Sequence, residues 1–240
     1  MLKTTMTRNS LQPTGRLHTD PLRFRGTCVA GLRRLGLILA IGASLAQAAP
    51  PTKTLSEAQT DALALAGETA VRHARIAAKD TAPLRFEFHR QQAFAVPLNG
   101  TTLQLMSLAW WPEKGGEAHC ALVFRPARGG ASGHDVPFVD ALAGAADAPP
   151  WACDGEPALR FTDVDGDGCT DVVALFPMRP PSGERFMQGL VLTCRKGNTL
   201  ALDAERTRHL AERQSQGEPF RNVQQAEQCL INQGPHKHHH

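Results

Sequence analysis

Four aspartates crowd into one nine-residue stretch, Asp163-Val164-Asp165-Gly166-Asp167-Gly168-Cys169-Thr170-Asp171. Counted from Asp163, the carboxylates stand at positions 1, 3, 5 and 9, with glycine at position 6. A hard cation such as Ca²⁺ takes about six to eight oxygen ligands. Alternate carboxylates on a tightly turning loop can converge on one ion, and position 7, Cys169, can add a backbone carbonyl. Gly166 and Gly168 permit turn geometry that residues with a Cβ resist. Four carboxylates so close repel one another unless a cation stands between them. The chemistry expected here is Ca²⁺ binding that staples a loop.

The loop differs from an EF-hand. Position 12 is Ala174, where that motif needs a bidentate Glu, and the flanks Leu159-Arg160-Phe161 and Val172-Val173-Ala174-Leu175-Phe176 read as strands. The stretch resembles the Asp-x-Asp-Gly-Asp-Gly-x-x-Asp loop of FG-GAP/VCBS repeats, over about residues 159–176. The resemblance implies Ca²⁺ held between two antiparallel strands. It implies as ligands Asp163, Asp165, Asp167, Asp171 and the Cys169 carbonyl. Only one copy of the pattern occurs in the chain, so the resemblance extends to a loop and not to a propeller.

Other residues with chemical potential fall into no reactive pattern. Ser132-Gly133-His134-Asp135 lies in a Gly-rich segment, but triads are assembled across a fold, and no G-x-S-x-G elbow is present. A solvated loop is expected there. His73, His89 and His119 match no zinc spacing. Arg85, Glu87 and His89 alternate along one strand, which predicts a solvent-facing row. Trp110 and Trp111 are adjacent on a strand pattern and therefore point to opposite faces; an exposed one could contact a glycan or protein, but core or sheet-cover packing is the expectation.

The elements that must position the loop come next. Thr54-Leu55-Ser56-Glu57 reads as a capping box with Thr54 as cap and Glu57 reaching back. A helix follows to about Lys79, with Leu55, Ala58, Ala62, Leu65, Thr69 and Ile76 as its apolar face, and Pro83 forbids continuation. Strands are predicted over residues 84–89, 92–98, 101–111, 119–125, 158–162, 172–177, 186–194 and 199–202. Leu84, Phe86 and Phe88 face inward. Asn99-Gly100 is a two-residue hairpin turn and Lys196-Gly197-Asn198 a second turn. Pro97 places the first hairpin arm near a sheet edge or at its turn. Residues 126–150 form a Gly/Ala/Pro-rich excursion. Residues 204–214 are weakly helical, and 218–231 read as a short C-terminal helix. The fold class is α+β: an N-terminal helix, a mainly antiparallel sheet of about six to eight strands, and a short C-terminal helix.

The remaining segments speak to compartment. Arg33-Arg34 precede an apolar run over residues 35–46, and Ala46-Gln47-Ala48 matches a small-residue cleavage site, so residues 1–48 read as a secretory signal. The run is too short to span a bilayer, which takes about 20 residues. Residues 49–53 are then a linker, 54–232 one α+β domain, and 233–240 a disordered His-rich tail. The whole chain carries 26 basic and 23 acidic residues, a net charge of +3. Seven of the basic residues and one acid lie before Ala49, leaving a net charge of −3. That removes the basic footprint nucleic-acid binding needs. Cys120, Cys153, Cys169, Cys194 and Cys229 remain, dispersed without C-x-x-C spacing, and read as disulfides of an oxidising compartment with one cysteine over. The expectation is a periplasmic or secreted, non-enzymatic, Ca²⁺-stabilised domain that binds a protein or glycan partner. It involves no nucleic acid and has no integral membrane span after cleavage. The alternative is a small exported hydrolase whose site assembles only in three dimensions.

Overall fold

The structure is a computed structural model that describes residues 52–127, 137–142, 151–181, 183–195, 199–217 and 219–232. The chain divides into two units, Met1–Ser44 and Leu45–His240, and every described residue lies in the second. The expected signal region, Ser132 to Asp135, the Lys196 to Asn198 turn and the His-rich tail fall outside the described residues.

The α+β class holds. Two five-stranded antiparallel sheets stand where one sheet was expected. The first sheet runs in order β1 (Lys53–Thr54), β2 (Leu84–Leu98), β3 (Thr101–Pro112), β4 (His119–Pro126) and β5 (Phe138–Asp140). The second is built on β8 (Asp171–Arg179). It is flanked on one side by β9 (Phe186–Arg195) and β10 (Thr199–Leu202), and on the other by β6 (Ala152–Cys153) and β7 (Ala158–Thr162).

The inner faces of the two sheets share one core, which includes Leu103, Leu105, Leu122, Val172, Ala174, Phe176, Leu190 and Leu192. Helix α1 (Glu57–Ala77) covers the outer face of the first sheet against Met106, Leu108, Trp110 and Val123. Helices α2 (Ala204–Ser215) and α3 (Val223–Ile231) cover the outer face of the second, against Val173, Leu175 and Val191. The result is four layers, helix–sheet–sheet–helix. A strand buried on both faces needs no polar side, which is why β8 carries the unbroken apolar run Val172-Val173-Ala174-Leu175-Phe176 after Asp171.

Helix α1 departs from expectation in start and phase. Ser56, not Thr54, is the N-cap; its hydroxyl accepts from the Gln59 amide, and Gln59 Oε1 accepts from the Ser56 amide at 3.0 Å. Thr54 is taken by the sheet instead, pairing with Phe94, and Leu55 N donates to Ala93 O at 2.9 Å. The buried face is Thr60, Leu63, Ala64, Ala66, Gly67, Ala70 and Val71. Leu65 and Ile76, expected to be inside, are 67% and 61% exposed. Both sets satisfy helical spacing. The inner one wins because the small Gly67 lets the helix settle onto Leu108 and Val123, with a notional Cβ only 3.0 Å from each.

The Asn99-Gly100 hairpin forms as read, with Leu98 opposite Thr101 and Gly100 at φ 83°. β1 pairs only with Phe94 and Ala95, so β2 is the sheet edge at Pro97. The first two predicted strands are one, β2, interrupted by a bulge between Phe88 and Ala93. Within the 126–150 excursion, Phe138–Asp140 pairs with β4 as β5. The C-terminal helix begins at Val223 rather than near 218, capped by Asn222.

Two disulfides form among the described residues. Cys120–Cys153 joins β4 to β6 and so ties one sheet to the other; Cys169–Cys194 joins the acidic loop to the end of β9. Cys229 Sγ lies 3.7 Å from His209 Nε2, between α3 and α2. No helix among the described residues is long and apolar enough to cross a membrane.

Candidate metal centre and its surroundings

The acidic loop is the connection of the β7–β8 hairpin. Thr162, the last residue of β7, pairs with Asp171, the first of β8, and residues 163–170 bridge them. The loop is built from its own carboxylates. Asp163 Oδ1 accepts from Gly166 N at 2.7 Å and Asp167 N at 3.2 Å, and its Oδ2 accepts from Gly168 N at 2.9 Å. Asp165 Oδ1 accepts from Asp167 N at 3.2 Å, and Asp167 Oδ1 from Cys169 N at 2.7 Å. Gly166 at φ 79° and Gly168 at φ 81° supply the left-handed turns that wind the backbone around Asp163.

Asp171 is fully buried and ties the loop of its own hairpin to the neighbouring strand β9. Its Oδ2 accepts from Val164 N at 2.9 Å and its Oδ1 from Cys194 N at 2.8 Å. Carboxylate oxygens of Asp163, Asp165 and Asp171 lie within 4.8 Å of one another. A carboxylate offers about four lone-pair sites, so the backbone bonds leave each group able to ligate. The three can hold a metal ion, and an all-oxygen set suits a hard cation rather than a thiolate-seeking one.

Of the four expected carboxylate ligands, the fold brings these three together. Asp167 stays close enough for its charge to act on Asp165 and Asp171, while its Oδ1 holds the Cys169 amide. The Cys169 side chain is committed to the disulfide.

The electrostatics reflect crowding. Burial pushes Asp171 up to about 7, with the charges of Asp165 and Asp167 adding to the shift and the Cys194 and Val164 amides opposing it. Asp165 is also raised, by burial first and then by Asp167, while Arg206 pulls it down. Arg206 is a resident cation that no reading of the loop alone could find. It lies in the first turn of α2, 7% exposed, paired at 2.7 Å with the helix cap Asp203.

A cleft of about 200 Å³ opens beside the loop, walled by Gly168 and Thr170 on one side and by Pro97, Leu98, Asn99 and Gly100 of the β2–β3 turn on the other. Pockets for drug-sized ligands run to about 300–1,000 Å³. This cleft suits a single side chain or a small polar group.

A polar bridge between the sheets stands where the sequence pattern predicts a solvent-facing row. His89 was expected in a solvent-facing row with Arg85 and Glu87, but it is only 3% exposed. The bulge after Phe88 breaks the alternation and leaves His89 packed against Ser107, Nδ1 to Oγ 2.8 Å. Gln92 Nε2 donates to Pro157 O at 2.7 Å, so its Oε1 is the acceptor for the Ser107 hydroxyl at 3.0 Å. Ser107 Oγ must then accept from His89 Nδ1–H. The imidazole donates to the serine instead of taking its proton, and Ser107 has no exposure at all. A nucleophile needs the opposite polarity and access to substrate. The group is a strut joining β2 and β3 to the segment before β7. Burial lowers the pKa of His89 against the opposing pull of Glu156 and Glu87.

The remaining candidates sit apart. His73 is exposed on α1. His119 stacks on Trp110 at 5.3 Å, and Trp110 is buried under α1, whereas Trp111 packs partly against the inter-sheet core. No family model matches this chain, and comparison with curated proteins and with solved structures returned no significant match.

Proposed function

We propose that the chain is an exported, non-enzymatic binding domain whose β7–β8 loop holds a structural Ca²⁺, in the manner of a single FG-GAP/VCBS-like loop. The observation that carries this reading is the convergence of Asp163, Asp165 and Asp171 on a hairpin loop already wound around a carboxylate. Asp167 and the Cys169 carbonyl complete the ligand set in this reading. The two disulfides support an oxidising compartment, periplasmic or secreted, where Ca²⁺ sites of millimolar to submillimolar affinity are useful.

The ion's role is to order one wall of the cleft formed with the Asn99-Gly100 turn. The partner is a protein or glycan that inserts a single small group there. Ca²⁺ thereby couples to partner binding without touching the partner.

The test is thermal unfolding after exhaustive demetallation, followed by readdition of Ca²⁺ or Mg²⁺. EDTA treatment is expected to lower the melting temperature and Ca²⁺ to restore it, with Mg²⁺ less effective because it demands shorter, near-octahedral geometry. No change on demetallation and none on adding Ca²⁺ would remove the Ca²⁺ assignment.

A further inference from the structure

The acidic loop is anchored to the body of the molecule by Val164, buried in the apolar layer under α2 and α3, and by a covalent and a hydrogen-bonded link that meet at one residue, Cys194. The hydrogen bonds of Asp163, Asp165 and Asp167 are local to the loop, and the bond from Val164 N to Asp171 stays within the same hairpin. Among the described residues, a disulfide and a hydrogen bond leave it for the neighbouring strand, and both end at Cys194. Its Sγ bonds Cys169, with the Cα atoms 5.9 Å apart, and its N–H donates to Asp171 Oδ1. The last β8–β9 ladder pair is Val172 with Leu192, so this junction lies just beyond the end of the ladder. Both half-cystines are buried in the inter-sheet core, at 2% and 7% exposure.

We propose that the Cys169–Cys194 disulfide is a positioning element of the metal centre, so that the loop gains its metal affinity when these two thiols are oxidised. The inference rests on reading the loop as a cation site. In the oxidised chain the bond pins position 7 of the loop while the Cys194 amide pins the Asp171 carboxylate, and Asp163 and Asp165 close on a fixed partner. Oxidation joins the two Sγ atoms; the two electrons and two protons pass to a disulfide oxidant, which leaves as two thiols. A dithiol reductant runs the step backward. In the reduced chain the loop samples other conformations, and apparent affinity falls in proportion to the fraction still competent. A newly made, reduced chain therefore carries a weak site, and strong metal binding follows oxidative folding.

The experiment titrates Ca²⁺ by calorimetry into the oxidised protein, into Cys169→Ser/Cys194→Ser, and into Cys120→Ser/Cys153→Ser. The first double variant is expected to bind about tenfold more weakly or worse with its circular dichroism spectrum retained, as a tenfold loss of competent loop requires. The second, whose bond lies between β4 and β6, is expected to bind as the parent does. Equal affinity in the parent and the Cys169/Cys194 variant overturns the inference while leaving the metal site intact. Absence of binding in the oxidised parent defeats the metal reading itself, and the inference with it.

A second measurement needs no variant. By linkage, Ca²⁺ must make Cys169–Cys194 harder to reduce by the same factor, about 30 mV for tenfold. Thiol-labelling mass spectrometry in dithiothreitol redox buffers, with and without Ca²⁺, should show that shift at Cys169 and Cys194 and none at Cys120 and Cys153. Equal shifts at both bonds, or none, overturn the proposal.

Discussion

Asp171 concentrates the chemistry of the loop in one side chain. It is fully buried, accepts two backbone bonds, and its pKa stands at about 7 against an ordinary value of 3.8. Between those two values the metal-free folded protein keeps a proton that the unfolded chain has released. This group's contribution to stability therefore falls as pH rises across that window and levels off above it. A bound cation requires the ionised form and reverses the trend. The expected outcome is that the rise in melting temperature on adding Ca²⁺ grows from pH 5 to pH 8, with proton uptake by buffer in calorimetry near pH 6. His89 works in the opposite direction, since its lowered pKa costs stability as pH falls below 6.5, but it acts equally with and without metal. It cancels from the difference. The aspartate spacing was visible in the chain because one short loop contains it. The inward turn of His89 was not, because it depends on a bulge that the alternation of Arg85, Glu87 and His89 does not announce.

At the scale of elements, glycine sets how closely helices approach sheets. A Cβ at Gly189 on β9 would lie 2.8 Å from Leu210 Cδ1 and 3.0 Å from Leu210 Cβ on α2. Leu210 has no exposed surface and nowhere to retreat. Gly189→Val is expected to destabilise the protein by about 1–3 kcal/mol through overpacking, measured as a lowered urea midpoint with unchanged slope. Because α2 also carries Arg206 and Asp203 beside the acidic loop, the same variant should disturb metal affinity. Element existence was largely readable, from the Asn99-Gly100 turn to the apolar run of β8. Phase and boundaries were harder. Two capping frames overlap, Thr54 with Glu57 and Ser56 with Gln59, and β2 decided between them by drawing Thr54 into a strand. Helix α1 likewise offers two apolar faces, and only the surface it lands on selects Leu63 and Val71 over Leu65 and Ile76.

Across the whole molecule, the two sheets are held by their common core, by the His89–Ser107–Gln92 strut, which reaches the segment before β7 through Gln92 and Pro157 O, and by Cys120–Cys153. The backbone bond from Cys153 N to Ala118 O, 2.8 Å long, reinforces the last of these. A bridge between half-cystines 33 residues apart restricts the unfolded chain by an amount worth about 4 kcal/mol. Cys120→Ser/Cys153→Ser is expected to lose stability of that order in chemical denaturation while remaining folded and keeping both helical layers. The division into two sheets was not legible because strand order is a matter of long-range pairing. β4 and β6 approach through a disulfide whose half-cystines are 33 residues apart, and four dispersed cysteines admit more than one pairing.

What could be read from residue order is what arises within a few neighbours. That includes the carboxylate types and spacing of Asp163 to Asp171, the glycines that let this loop turn, the hairpin at Asn99-Gly100, and the mixture of one long helix with many strands. These are local because turn geometry and alternation act over two to four residues. Tertiary packing decided everything that needs a distant partner. It chose which carboxylates meet, placed Arg206 beside Asp165, buried His89 between the sheets, and joined the loop to β9 at Cys194. Burial and low dielectric then set the charge state of Asp171, a property no side chain possesses before it is enclosed.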